Sequence, residues 1–423
     1  MTRVRWKICG LLFFAATISY IDRAVLAVLK PLLERQLHWS QVDYGWMVTL
    51  FQLLYAVGYV LSGRLIDRVG VRWGLLSSVA LWSLATMQHA AARTVMGFSI
   101  ARGWLGLTEG GMYPAAIRAV AEWYPKEERA LATGLFNTGS NIGPVLCPLI
   151  VPWLAAQWGW QAAFLATGGV GFLWVAGWMW LYRAPDRHPK VSAAELAYIR
   201  KDPPAASVKI PWLVLLRHRQ TWAFVAGMAV SSPIWWFYIY WAPDFLNKRY
   251  ALGLTQSSLP LMIMFLSASV GGVGGGWLSS KLMTRGWTVN AARKVALLVC
   301  ALCVVPVLAT PLVPNPWMAV TLVGLAAAAH CGFAANLFTL VSDTVPQQAT
   351  SSVVGIGGMA GALGGMVFAQ LVSRVLDLTH NNYVVPFAIA SLAYLVGLGV
   401  IHLLLPHLEP MNLDITKPAK MSS

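Results

Sequence analysis

RAPDRHPKVSAAELAYIRKDPPAASVKIPWLVLLRH, residues 183–218, is the longest polar stretch in a chain otherwise built from apolar runs. Six apolar segments precede it, at 8–29, 42–62, 73–92, 95–121, 131–153 and 161–182. Six follow it, at 219–242, 256–280, 293–312, 317–341, 352–375 and 384–405. Most have the roughly 20 residues that a spanning helix needs. The expected fold is an all-α membrane protein with 12 transmembrane helices in two six-helix bundles. The bundles would occupy 1–182 and 219–405, joined by the 183–218 loop, with a tail at 406–423. The stretch is basic and contains Pro203 and Pro204, and the favoured reading is a solvated linker between the bundles. SAAELAYIRK offers the alternative of a short surface helix, with Ser192 as its cap and Glu195 at capping-box spacing.

Composition supports the membrane class. Of 423 residues, 57% are hydrophobic and only 11% charged, whereas a soluble domain carries about 25% charged residues. Twenty-one tryptophans and 37 glycines suit membrane interfaces and close helix packing. A net charge of +15 raises nucleic-acid binding as a possibility. The cations are instead scattered over short loops, with 22 Lys or Arg on the side of the N-terminus and 6 on the other. That bias places both termini in the cytoplasm of a multi-pass inner-membrane protein and argues against a nucleic-acid partner. Five cysteines all lie in apolar runs, and Cys300 and Cys303 have no second pair or histidine cluster beside them. They read as small packing residues, so no metal, redox site or cofactor is expected. Nor does a nucleophile-and-base set occur at membrane depth, which argues against an enzyme.

Charges inside the apolar runs carry the functional signal. Asp22 and Arg23 are adjacent in SYIDRAVLAV, and Arg102 and Glu109 share ARGWLGLTEGGMYPAAIRAV. Each costs at least about 2.5 kcal/mol at membrane depth unless paired or facing a water-filled cavity. Seven residues are close to two helical turns, which sets Arg102 and Glu109 on one face, roughly 10 Å apart. An acid that can carry a proton beside an arginine that can hold an anion suggests a proton-coupled carrier of an anionic solute. The plainer reading is a structural lock in which Asp22 pairs with Arg23 or Arg102. Arg118, about 180° around the helix from Glu109, is expected at the inner end rather than in the site. In SSPIWWFYIYW, Trp235 and Tyr238 offer a stacking surface and a polar edge for a ring-shaped substrate. Asn336 offers an amide to substrate hydroxyls, while His330 reads as a packed residue. GGVGGGWLSS (271–280) and GIGGMAGALGG (355–365) read as close-packing stripes, not phosphate loops.

The halves echo each other. GRLIDRVG from Gly63 matches GWLSSKLM from Gly276, and PKEERALATG from Pro125 matches PQQATSSVVG from Pro346. The second offset also carries Gly143 onto Gly364. Related six-helix repeats with a site at their interface are a common transporter signature.

GRLIDRVGVR (63–72), after the second span, resembles the signature loop of the major facilitator superfamily. In it Gly63, Asp67, Arg68, Gly70 and Arg72 would form a gating loop. YIDRAVL, RGWLGLTEGGMYPAAIRAVAEWYP with KEERA, and WAPDFL (241–246) resemble its anion:cation symporter branch, which includes hexuronate, galactonate and glucarate carriers. The resemblance implies that Asp22 and Glu109 handle protons and that Arg23 and Arg102 bind or gate a substrate carboxylate. Tyr55 matches a site tyrosine, and NTGSNIG places Asn137, Ser140 and Asn141 where such carriers have a polar site residue. The expected activity is proton-coupled uptake of a sugar acid, with the proton as coupling ion and a monomer sufficient. The alternatives are export or exchange of an organic anion, or a nutrient sensor that transports nothing.

Overall fold

The computed structural model describes residues 2–201 and 211–412, without the side chains of Arg64, Asp67, Lys126, Glu127, Ala130, Gln347, Gln348 and Ser351. Pro203, Pro204, residues 413–423 of the tail and the Asp67 side chain therefore lie outside the described residues. Among the described residues there are fourteen α-helices and no strand. They are α1 (Val4–Leu37), α2 (Gln41–Gln88), α3 (Val95–Glu109), α4 (Met112–Trp123), α5 (Lys126–Trp158), α6 (Trp160–Leu181) and α7 (Ala193–Ile199). After them come α8 (Trp212–Leu215), α9 (Arg219–Tyr250), α10 (Ser258–Thr284), α11 (Val289–Val304), α12 (Pro316–Thr344), α13 (Gln347–Leu378) and α14 (Val384–Leu404). Ten segments are long and apolar enough to cross a membrane. The arm of α2 beyond Gly70 and the α3–α4 pair supply two more, consistent with the twelve expected.

Two elements differ from their sequence reading. The polar segment 63–72 is not a loop, because α2 runs through it and breaks only at Gly70 (φ 79, ψ 165). A glycine takes that backbone freely, and a side chain would be strained there. The fourth span is two helices, because α3 gives way to α4 at Gly110 and Gly111. Here α3 lies backbone against backbone on α2. A Cβ at Gly106 would collide with the Phe51 carbonyl, and one at Gly110 with the Tyr59 amide.

The bundles are built alike. In the first, α2 meets α3 through Gly58, Gly106 and Gly110; in the second, α10 meets α12 through Gly271, Gly275 and Gly332. Gly143 seats α5 on α1 at Thr17 and Tyr20, and Gly364 seats α13 on α9 at Ala229 and Pro233. The Gly143–Gly364 echo thus falls on equivalent packing positions. Between the bundles, α1 touches α9, α2 touches α13 and α5 touches α10.

The N-terminus and α7 share one face, here called terminal. Ser192 caps α7 by accepting the Glu195 amide at 3.2 Å, as its spacing predicts. The Glu195 carboxylate turns away from that cap. It accepts the Thr2 hydroxyl (2.6 Å), the Val4 amide (3.2 Å), the Arg5 amide (3.3 Å) and Arg5 Nη1 (3.2 Å). The linker helix thus satisfies orphan donors at the start of α1.

On the opposite, distal side, polar side chains tie the bundles together. Lys30 pairs with Asp244 at 2.8 Å, Lys248 with Glu34 at 2.6 Å, and Gln41 donates to Asp244 at 3.1 Å. The Tyr44 hydroxyl donates to the Tyr240 carbonyl at 2.9 Å, and Gln370 to Thr49 at 2.7 Å. Nearer the terminal face, Asn137 on α5 and Met359 on α13 are exposed. The cross-bundle polar bonds named here thus lie on the distal side of the interface.

Candidate functional site

Buried charge gathers where α1, α2, α3 and α9 converge. Arg23, only 1% exposed, donates from Nε to Glu109 Oε2 at 2.6 Å. Four rings surround its guanidinium, with centroids at 4.7 Å (Tyr20), 5.5 Å (Phe51), 4.4 Å (Tyr55) and 5.4 Å (Trp236). Such contacts are worth about 2 kcal/mol each when desolvated, which helps hold a cation inside the membrane. Arg102 donates from Nη2 to the Arg23 carbonyl at 2.9 Å, and its guanidinium lies 5.6 Å from the Phe51 ring.

Several polar atoms here bond no protein group: Arg23 Nη2, Arg102 Nε and Nη1, and Glu109 Oε1. A buried donor left unmatched costs about 1–3 kcal/mol. Three unmatched N–H-bearing atoms on two arginines are thus left as donors of the charge-assisted kind that a planar anion accepts.

Asp22 adjoins Arg23 in sequence but not in the site. Successive helical residues point about 100° apart, and the Asp22 carboxylate lies beside Thr86 of α2 and Thr167 of α6. Both of its oxygens are buried without a protein hydrogen bond. It pairs with neither arginine, so the lock reading is not what the fold builds.

The remaining sequence candidates divide into rim, wall and core. Tyr55 belongs to the ring box. Asn137 and Ser140 form the rim toward the terminal face, bonded to the Tyr113 hydroxyl at 2.8 Å and 2.7 Å. Asn141 is half-buried on the same helix and makes no side-chain bond. Asn336 is spent on packing: its Nδ2 donates to the Gly275 and Gly332 carbonyls, each at 2.9 Å, tying α10 to α12. Trp235 stacks on His330 (5.0 Å, 5°), whose Nδ1 bonds the Tyr394 hydroxyl at 2.7 Å. Tyr238 is buried beside Tyr394 in the same bundle. Trp235, Tyr238 and Asn336 thus make their contacts within the second bundle, not with the rings around Arg23.

The α9 aromatics beside the ring box are Trp236 and Tyr240, not the expected Trp235 and Tyr238. Trp236 stacks on Tyr20 across the interface (6.4 Å, 19°) and on Tyr240 one turn along (5.7 Å, 13°). The Tyr240 hydroxyl is buried without a partner. Their i, i+4 spacing was visible in the sequence, but α9 is aromatic on several faces, so spacing alone did not choose between the pairs.

In the 63–72 segment, Arg72 donates to the Met179 carbonyl at 3.0 Å and Arg118 to the Ile66 carbonyl at 3.1 Å. Arg68 is exposed. Arg118 thus meets α2 just before its Gly70 break.

This geometry and two related bundles around a buried polar site define a membrane transporter rather than an enzyme. The chain belongs to the Major Facilitator Superfamily, whose sequence model matches residues 12–369. It is 28% identical over 405 residues to the hexuronate transporter of Escherichia coli (strain K12), covering 94% of this chain and 93% of that one. It is 30% identical over 325 residues to the galacturonate transporter of Dickeya chrysanthemi, covering 75% of this chain and 94% of the relative. Its fold matches an inward-facing, unoccupied bacterial homolog of the human lysosomal transporter Spinster, with TM-score 0.74 and 17% identity over 96% of this chain and 97% of that one.

Proposed function

We propose that this protein imports a sugar acid (hexuronate, aldonate or aldarate) across a bacterial inner membrane, driven by protons. The observation that carries the reading is the set of unmatched Arg23 and Arg102 donors inside an aromatic box. A carboxylate fits those donors, while the Tyr55 and Tyr240 hydroxyls and the Trp236 ring suit a polyhydroxyl tail. The relatives named above carry uronic acids of that chemistry.

In this account both termini are cytoplasmic, the distal face is periplasmic, and the bundles at 1–182 and 219–405 rock about the site on the 183–218 linker. Glu109 holds Arg23 while the site is empty. A proton arriving at Glu109 removes the charge from that pair and frees Arg23 for the incoming carboxylate. Asp22, buried beside the pair without a partner of its own, supplies the second proton-binding group. No cofactor other than the coupling proton enters the cycle. The Gly70 kink and the Arg118–Ile66 contact shape the inner end of the first bundle, where the cytoplasmic gate would close.

The test is uptake of labelled D-glucuronate, D-galactonate and D-glucarate into proteoliposomes with an imposed proton gradient. Gradient-dependent accumulation of at least one is expected. Accumulation of none would overturn the reading, and movement only in exchange for internal anion would reassign the protein as an exchanger.

A further inference from the structure

A second charged cavity, of about 1020 Å³, opens at the distal end above the Lys30–Asp244 pair. Both bundles line it. Arg35 comes from the last turn of α1, and Lys248 and Arg249 from the last turn of α9. His38 and His380 stand at its walls, and Glu34 is its only lining carboxylate among the described residues. Three fixed cations therefore face one acid.

Among the described residues, two of those cations have no carboxylate partner. Arg35 donates to the Asn247 side chain at 3.2 Å, and Arg249 to the Pro311 carbonyl at 3.0 Å. Lys248 is shared between Glu34 (2.6 Å), the Asn381 side chain (2.9 Å) and Asp244 (3.7 Å). The plain account of such cations is that they complement helix C-termini. Their shared cavity argues for more: the cations come from both bundles and face one carboxylate among the described residues. The left-handed residues that line it, His38 (54°), Ala251 (54°), His380 (50°) and Asn381 (68°), are where the chain turns after α1, α9 and α13, an ordinary helix ending.

We infer that this cavity is an outer docking site for the carboxylate of the substrate, used before the distal gate opens. Arg35 and Arg249 draw the anion in. At Lys248 it competes with Glu34, the partner that helps hold α1 to α9. Arrival of substrate thereby loosens the gate that separates it from Arg23 and Arg102. The identity of the ligand rests on the sugar-acid reading above; the anion site itself does not.

The test compares wild type with the double variant Arg35→Gln/Arg249→Gln in oriented proteoliposomes with the distal face outward. Electrostatic capture raises association at least about tenfold and fades with salt. Wild-type kcat/KM for D-glucuronate should fall about tenfold from low to high ionic strength. The variant should start about tenfold lower and stay flat, with its maximal rate at saturating substrate within about twofold of wild type. A salt-independent wild type, or a variant equal to wild type at low salt, overturns the inference. So does a loss confined to thermal stability, which is the helix-end role alone. If wild type carries none of D-glucuronate, D-galactonate and D-glucarate, the transport reading fails separately. Calorimetric titration of both purified proteins with glucuronate at low salt then tests the cavity: heat lost in the variant supports it, and equal or absent heat overturns it. Equal heat with inorganic phosphate would overturn the assignment to carboxylate.

Discussion

Arg23 Nε meets Glu109 Oε2 at 2.6 Å across the contact between α1 and α3, while Asp22, one residue earlier, has both carboxylate oxygens buried without a protein partner. Asp22 and Glu109 are therefore not equivalent. Glu109 is bound to the group that would receive the substrate, so a change in its charge is felt at the binding site directly. In the proposed cycle Asp22, which bonds neither arginine, would act on that site only through its field.

Arg102 keeps Nε and Nη1 free while Nη2 holds the Arg23 carbonyl. Lysine retains the charge but loses the planar fork that matches a carboxylate. Arg102→Lys should weaken substrate binding about 10–100-fold, equivalent to a lost charge-assisted bond of roughly 1.5–3 kcal/mol. Membrane insertion should be unaffected. Equilibrium binding of labelled substrate to purified protein checks this, and unchanged affinity would remove Arg102 from the site.

Neighbouring aromatics on α9 should respond in opposite ways. Trp236 contributes a ring to the Arg23 box at 5.4 Å, so Trp236→Ala should raise KM by about 5–30-fold, matching a loss of about 1–2 kcal/mol. Tyr238 packs inside the second bundle with its hydroxyl unbonded. Tyr238→Phe should leave KM within about twofold. Transport kinetics of the two variants side by side decide which face of α9 meets substrate, and the reverse pattern would restore the Trp235–Tyr238 face.

Glu195 gives the terminal side a pH signature. Burial pushes its carboxyl up, but bonds from the Thr2 hydroxyl, the Arg5 and Val4 amides and the Arg5 guanidinium outweigh it and hold the group below the usual carboxylate range. A depressed folded value means the docking of α7 on α1 is at full strength above the unfolded value, about 4.3. It is lost as pH falls through the folded value. Glu195→Gln should therefore melt below wild type at pH 7, and the two curves should converge under strong acid. A gap in melting temperature as wide in strong acid as at pH 7 would contradict this.

The helices, the charged cluster and the repeat were legible because their signals are large: twenty-residue apolar runs, charges at membrane depth, glycines at packed crossings. What failed was phase. The polar residues of 63–72 suggested a loop, but α2 needs only one non-helical residue, Gly70, to turn its second arm. On α9 the aromatics cover both the bundle core and the interface, so periodicity did not separate Trp235 from Trp236. Asn336 looked available because no sequence signal shows that Gly275 and Gly332 leave carbonyls for its amide. The Lys30–Asp244 pair joins α1 to α9, 214 residues apart, and only the packed bundles bring it together.

The central claim is that Glu109 couples proton movement to release of Arg23, and one comparison tests it most directly. Glu109→Gln mimics the protonated acid and cannot release a proton. In the same proteoliposomes, proton-driven accumulation of labelled sugar acid is measured beside substrate counterflow. The account predicts that Glu109→Gln loses accumulation and keeps counterflow. Intact accumulation by this variant would contradict it, and loss of both activities in a well-folded protein would make Glu109 a binding or structural group instead.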